Sequence, residues 1–189
     1  MIGFVIGNGP SRKNFDLDRL KNKGIIVGCN ALYRDFNPDY LAFVDNAMGK
    51  ELEDKYSGII VGQRPLQKVK ARFLLHKPKY RNSARSSGAL ATDFIISKEK
   101  CDKIYWFGFD NPKDTPFVKA SIYAKTPNYQ RGNKKWGYSC FIKEYKEILS
   151  YWKDTVFYNV IREGVSNPMI EELGSFSNYN VITYEDLPL

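Results

Sequence analysis

Two long stretches of this sequence contain no carboxylate. Between Lys55 and Thr92 there are nine lysines and arginines and no Asp or Glu, and between Thr115 and Lys143 there are six more, again unopposed. The formal net charge is +8. A solvated basic face accounts for part of this, but blocks of this length point to an anionic partner: phosphate, an acidic glycan or nucleic acid. Histidine is nearly absent. With His76 alone, a multi-histidine metal site is excluded. The three cysteines, Cys29, Cys101 and Cys140, are odd in number and far apart. This spacing argues against a disulfide framework or a zinc site and suits small buried hydrophobes. No apolar run approaches the roughly 20 residues that cross a bilayer, and the first residues enter a strand-like run without a basic leader region. The expected location is cytoplasmic.

What is present is enough for one sizeable core: 189 residues, 43% hydrophobic and 15% aromatic, within the range of a single domain spanning 1–189. Short continuous apolar runs recur at 2–6, 24–29, 40–44, 58–61, 72–75, 103–107, 156–160 and 180–184, as expected for strands buried on both faces. Between them lie helical patterns at 15–20, 46–52, 87–97, 139–152 and 168–173. In SGALATDFIIS, Leu90, Phe94 and Ile95 recur at helical spacing after Ser86 or Ser87 as N-cap. In the 139–152 segment, Phe141, Ile142, Tyr145, Ile148, Leu149 and Trp152 form one stripe. The expected class is therefore α/β: a single Rossmann-like domain with a mostly parallel sheet, helices on both faces, and a lid-like loop at about 111–137.

In open α/β sheets, ligands sit outside the carboxyl ends of the strands. The first strand empties into Gly7-Asn8-Gly9-Pro10-Ser11, the second into Asn30, the third into Asp45, and the KIYWF strand into Gly108-Phe109-Asp110. Glycines allow close backbone approach. Asn8 and Asn30 offer a donor and an acceptor each. Ser11 suits a phosphate or a helix cap, and Asp45 a ribose hydroxyl, a metal or a substrate proton. Ser87 and Gly88 open a helix whose free N–H groups suit a phosphate. GNGPS lacks the Lys-Ser/Thr of a P-loop and the third glycine of the dinucleotide fingerprint.

The segments GNGPSRKNFDLDRL, GCNALYRDFNPDYLAFVD and SSGALATDFIISKEKCDKIYWFGFD resemble the bacterial sialyltransferases that decorate lipooligosaccharide. They also resemble related bacterial and phage Rossmann-like proteins, some of them similar to 6-hydroxymethylpterin pyrophosphokinases. The resemblance covers about the first 110 residues. It implies a nucleotide-sugar donor of CMP or UDP type, with Asn8, Asn30 and Asp45 on the nucleotide. It places Gly7, Gly9, Ser11, Ser87, Gly88, Gly108 and Phe109 close by. A phage origin would make the cytoplasm that of the host. Two positions depart from the family. The segment where the family carries a catalytic histidine reads GNKKWGYSCF, and Asn111-Pro112 stand where a tyrosine would follow the strand end.

These readings predict a glycosyltransferase whose base is Asp45 or Asp110, with His76 in LLHKPK as the third candidate. Arg85, Tyr123, Tyr129, Lys134, Lys135 and Tyr138 are the candidates for phosphate or acceptor. Metal independence is expected, with Mg²⁺ against a diphosphate at Asp45 or Asp110 as the alternative. The acceptor is a glycan or modified phage DNA bases, the latter suggested by the basic and aromatic run IYAKTPNYQRGNKKWGY. A Mg²⁺-dependent pyrophosphokinase-like phosphotransferase and a non-catalytic nucleotide- or nucleic-acid-binding protein remain as alternatives on the same scaffold.

Overall fold

The structure is a computed structural model that describes residues 1–110, 117–130, 138–164 and 168–188. Eight strands form one sheet: β1 (Ile2–Ile6), β2 (Ile25–Cys29), β3 (Tyr40–Phe43), β4 (Ile59–Gly62), β5 (Phe73–Leu75), β6 (Lys103–Phe107), β7 (Val156–Ile161) and β8 (Tyr179–Thr183). Their order is β5-β4-β3-β2-β1-β6-β7-β8 and every pairing is parallel. All the apolar runs of the sequence became strands because a parallel sheet covered on both faces demands apolar side chains in both directions.

Alternation along β1 shows the two faces. Val5 joins Val27, Ala42, Val61 and Trp106 in a core beneath helices α2 (Ser87–Ser97), α4 (Tyr138–Tyr151) and α5 (Pro168–Leu173). Phe4 and Ile6 face the other way, with Ile26, Leu41, Phe43, Tyr105 and Phe107. Apart from Gly88, every residue of α2 is buried, so it is a central core helix rather than an amphipathic cover.

The opposite face is covered differently from what the sequence suggests. It carries α1 (Asn46–Lys55), whose Met48 and Leu52 are buried, and short 3₁₀ turns at Leu17–Leu20 and Asn30–Arg34. The helix expected at 15–20 is only the first of these turns. Asn14 and Asn22 adopt positive φ, 69° and 63°, and left-handed residues on both sides leave room for a single turn between them. Within the expected lid, residues 117–130 hold a one-turn helix α3 (Phe117–Ala120) and a series of turns. The rest of that segment, with Lys134 and Lys135, and the side chain of Tyr138 lie outside the described residues.

Candidate functional site at the strand ends

The strand order reverses between β1 and β6, where an open α/β sheet normally parts to form its ligand crevice. Here the two loops are stitched together. Gly7 N–H donates to Phe107 O at 2.7 Å and Gly9 N–H to Gly108 O at 2.9 Å. Ser11 N–H donates to Asp110 Oδ2 at 2.8 Å. The close backbone approach allowed by the glycines is thus to the neighbouring loop. A Cβ at Gly9 would lie 2.3 Å from Asp110 Oδ2, and one at Gly7 2.7 Å from Gly108 O. Gly108 itself turns with φ +68°.

Asn8 is 1% exposed. Its Nδ2 donates to Cys29 O at 3.0 Å and to the Tyr129 hydroxyl at 3.1 Å, while its buried Oδ1 has no partner among the described residues. Asn30 takes a left-handed conformation, φ +53°, which asparagine tolerates better than most residues. That turn sends its Oδ1 to Ser87, whose hydroxyl donates to it at 2.7 Å. Asn30 Nδ2 is left without a partner among the described residues. The residue following β2 is thereby tied to the start of α2, while Asn8 after β1 is tied to the end of β2.

At that helix start, Ser86 accepts the Ala89 N–H, the N-cap expected from the sequence. A carboxylate is also present: Glu144 of α4, fully buried, accepts Arg85 N–H at 2.6 Å, Ser86 N–H at 3.1 Å and the Tyr80 hydroxyl at 2.8 Å. Burial pushes its pKa above the usual carboxylate range, against the lowering by these bonds. Glu144 was not singled out from the sequence; its only signal is an acidic residue beside the apolar stripe of α4. The Arg85 guanidinium makes no hydrogen bond or ion pair among the described residues.

Asp45 occupies the N-cap position of α1 without capping it. It is exposed, yet the surrounding protein pushes its pKa upward by desolvation. That combination suits a carboxylate on the wall of a recess. Asp110 is half-buried, and burial raises its pKa while Ser11 and Arg162 pull it back.

Several candidates serve the fold in this structure. Phe109 stacks on Trp106 at 5.3 Å and meets Tyr145 edge-on. A Cβ at Gly88 would strike the Tyr145 hydroxyl and Phe109 within 3.0 Å, so its lack of a side chain makes room for core aromatics. His76 lies under the sheet edge, 1% exposed, at 2.8 Å from Asp93, which also accepts Lys79 N–H and Trp152 Nε1–H. Tyr123 and Tyr129 are buried, their hydroxyls engaged by Arg12 and Asp35 and by Asn8. Ser11 Oγ is buried without a hydrogen-bond partner among the described residues. Residues 121–130 are docked onto the rim: Ile122 N–H bonds to Asn8 O, Arg34 donates to Thr126 and Pro127, and Asn128 bonds to Glu51. Among the described residues, no three His, Cys, Asp or Glu side chains converge to hold a metal ion.

No protein-family model and no curated protein matches the chain. Solved structures do. The crystal structure of the sialyltransferase CST-II in complex with trisaccharide acceptor and CMP superimposes with a TM-score of 0.60. That match spans 94% of this chain and 87% of that one, at 16% identity. A point mutant of the alpha-2,3/8-sialyltransferase CstII matches with a TM-score of 0.52, over 84% and 81% of the two chains, at 18% identity. The chain has the CST-II fold. At these identities the likeness is one of architecture. No helix among the described residues is long and apolar enough to cross a membrane.

Proposed function

We propose that the protein is a glycosyltransferase that moves a sugar from a nucleotide-activated donor, of CMP type, to an anionic glycan. The observation that carries this reading is the Asn30–Ser87 hydrogen bond, which brings the end of β2 to the N-terminus of α2. There, Asn30 Nδ2 and the Arg85 guanidinium are both without partners among the described residues, and Asp45 stands at the end of the neighbouring strand. A donor N–H, a cation and a carboxylate on one rim match the needs of a nucleotide, its phosphate and an acceptor hydroxyl. The matching solved structure holds CMP and a trisaccharide, which favours this donor class and a glycan acceptor.

In the reaction, the acceptor hydroxyl gives its proton to the Asp45 carboxylate. Its oxygen bonds to the anomeric carbon as the bond from that carbon to the phosphate oxygen breaks. The nucleotide leaves with that electron pair, its charge offset by Arg85. The upward pKa shift makes Asp45 a stronger base than an ordinary aspartate. Asp110, bonded to Ser11 N–H, holds the first loop in place. The anionic character of the acceptor rests on Arg64, Lys70, Lys77, Lys79 and Arg85 in the acid-free stretch from Lys55 to Thr92. Their side chains have no ion-pair partners among the described residues.

The test is a thermal-shift panel of nucleotides and nucleotide sugars, with and without Mg²⁺, on wild type and Asn30→Asp. That variant keeps the acceptor for Ser87 and tolerates positive φ, but loses the Nδ2 donor. A ligand bound only by the folded state raises the melting point. Stabilisation by a cytidine nucleotide, lost in the variant, supports the reading. No stabilisation by any nucleotide overturns it. Strict Mg²⁺ dependence with ATP would turn it to a pyrophosphokinase-like phosphotransferase, and binding without turnover to a sensor. Transfer to modified-base DNA rather than to a glycan would identify DNA as the acceptor.

A further inference from the structure

β5 is an outer strand of the sheet, and among the described residues no other strand pairs with its far side. In a parallel pair, successive residues direct their N–H and C=O groups alternately toward one neighbour and the other. His76 N–H donates to Gly62 O at 2.9 Å, and Gly62 stands in register with Leu75. Leu75 therefore directs its own N–H and C=O away from β4. Neither group has a partner among the described residues.

The side chains at this edge are apolar and uncovered. Leu75 is 53% exposed and Leu74 41%. They lie on opposite faces of the sheet. Leu74 is in register with Val61, of the core beneath α2, while Leu75 shares the face of Phe73, which packs on the other core. Ile59, also 41% exposed, lies two residues before Val61 and extends the strip on the Leu74 face. A helix or loop laid on the sheet covers one face only. A strand added at the edge covers both, and supplies the hydrogen-bond partners that Leu75 lacks.

Charge selects the kind of strand. Lys70 precedes β5, and Lys77 and Lys79 follow it. All three are exposed, and their side chains have no hydrogen bond or ion pair among the described residues. The carboxylates that reach this region are engaged: Asp54 pairs with Lys68, Glu53 accepts Gln67 and Lys68 N–H, and Asp93 is buried against His76. Lysines on both sides make one β5 repel a second β5, a common guard against self-pairing. They attract a segment whose acidic residues flank an apolar centre. They are among the cations credited above to an anionic acceptor. The apolar edge and the backbone groups between them suit a polypeptide.

We propose that β5 docks an extended, acidic segment of a partner protein, which joins the sheet as an added strand beside Leu75. Docking here needs neither the nucleotide nor the sugar of the transferase reading.

The probes are two capped peptides, Glu-Glu-Val-Val-Val-Glu-Glu and Lys-Lys-Val-Val-Val-Lys-Lys, and a copy of the first with its valines N-methylated, which cannot donate to a ladder from its centre. Each is titrated into the full-length protein and followed by amide NMR. The acidic peptide is expected to perturb amides between residues 70 and 79 and to bind about tenfold more tightly than the basic one. N-methylation is expected to weaken it several-fold. Leu75→Pro removes the outward N–H and leaves the bonds to β4, at an edge position of the kind that accepts proline. It is expected to weaken the acidic peptide several-fold as well. Lys77→Glu/Lys79→Glu is expected to reverse the preference between the two charged peptides. Melting curves of both variants are recorded beside wild type. Equal binding of the acidic and basic peptides by wild type, or no perturbation at these amides, would overturn the proposal. So would binding that ignores both N-methylation and Leu75→Pro, because the lysines would then be a surface for any polyanion, nucleic acid included. Sedimentation of the protein alone is expected to show no self-association that Leu75→Pro abolishes. Such self-association would make a second copy the occupant of the edge and overturn the proposal.

Discussion

The hydroxyl of Ser87 donates to Asn30 Oδ1 across 2.7 Å, joining residues 57 positions apart. It occupies Oδ1 of the asparagine and leaves Nδ2, the group that the transferase reading gives to the nucleotide, without a partner among the described residues. Ser87→Ala removes this bond. The expected cost in stability is about 1 kcal/mol, with nucleotide affinity falling several-fold more than a loss of that size in folding alone would produce. Isothermal titration of the folded variant, set beside its denaturation curve, separates the two effects.

Glu144 offers the opposite balance. Glu144→Ala leaves Arg85 N–H, Ser86 N–H and the Tyr80 hydroxyl without their acceptor in a buried setting. Each unpaired group costs about 1–3 kcal/mol, so a fall of about 3 kcal/mol or more in urea unfolding is expected. Glu144→Gln keeps one acceptor oxygen and recovers part of it.

Asp45 gives a stability effect whose sign follows from linkage. Its folded pKa lies above the ordinary 3.8 because its surroundings disfavour the charged form. The unfolded chain therefore releases the proton first. Its favourable contribution is complete below about pH 4 and is lost as pH rises through the folded value. A carboxamide at this position has no acidic proton to lose, so Asp45→Asn should melt above wild type at pH 7, with the gap closing toward about pH 3–4. Solvent exposure keeps the gain below about 1 kcal/mol. The same variant should lose transfer activity, the trade expected at a functional carboxylate.

His76 and Asp93 form a buried structural pair. Replacing His76 by Gln should lower stability by about 3 kcal/mol, the range for disrupting a buried polar pair. The nucleotide dissociation constant of the folded protein should not change. A selective loss of turnover with normal stability would instead return His76 to the candidates for base.

Gly9→Ala would place a methyl group 2.3 Å from Asp110 Oδ2. Either the loop or Asp110 must move, at a cost of about 1–3 kcal/mol. The Ser11 amide signal should report the broken bond directly in an NMR spectrum.

The sheet was legible in the sequence because each parallel strand is a continuous apolar run, IGFVI, IIVGC, YLAF and so on, bounded by turn residues. The helix α2 was legible for the same local reason, with its cap narrowed to Ser86 or Ser87, of which the structure uses Ser86. The rim positions of Asn8, Asn30 and Asp45 followed once the strands were placed. Other features depend on distant partners. Nothing near Gly9 announces Asp110, far along the chain, as the residue whose carboxylate requires the glycine. Glu144 reaches Arg85 from another helix, and residues 121–130 dock through Arg34 and Glu51. Phe109 looked like a rim residue from its place after β6, but its side chain turns into the aromatic core around Trp106.

The bonds from Gly7, Gly9 and Ser11 to the loop after β6 also limit how the molecule can move. With the two halves of the sheet fastened at the point of strand reversal, they cannot swing apart like the jaws of a hinged enzyme. On the transferase reading, admission and release at the rim would come from displacement of residues 121–130. That segment is held by side-chain bonds to Asn8, Arg12, Arg34, Asp35 and Glu51 and by one backbone bond to Asn8, so the pace of exchange would be set by breaking a few polar contacts while the core stays intact.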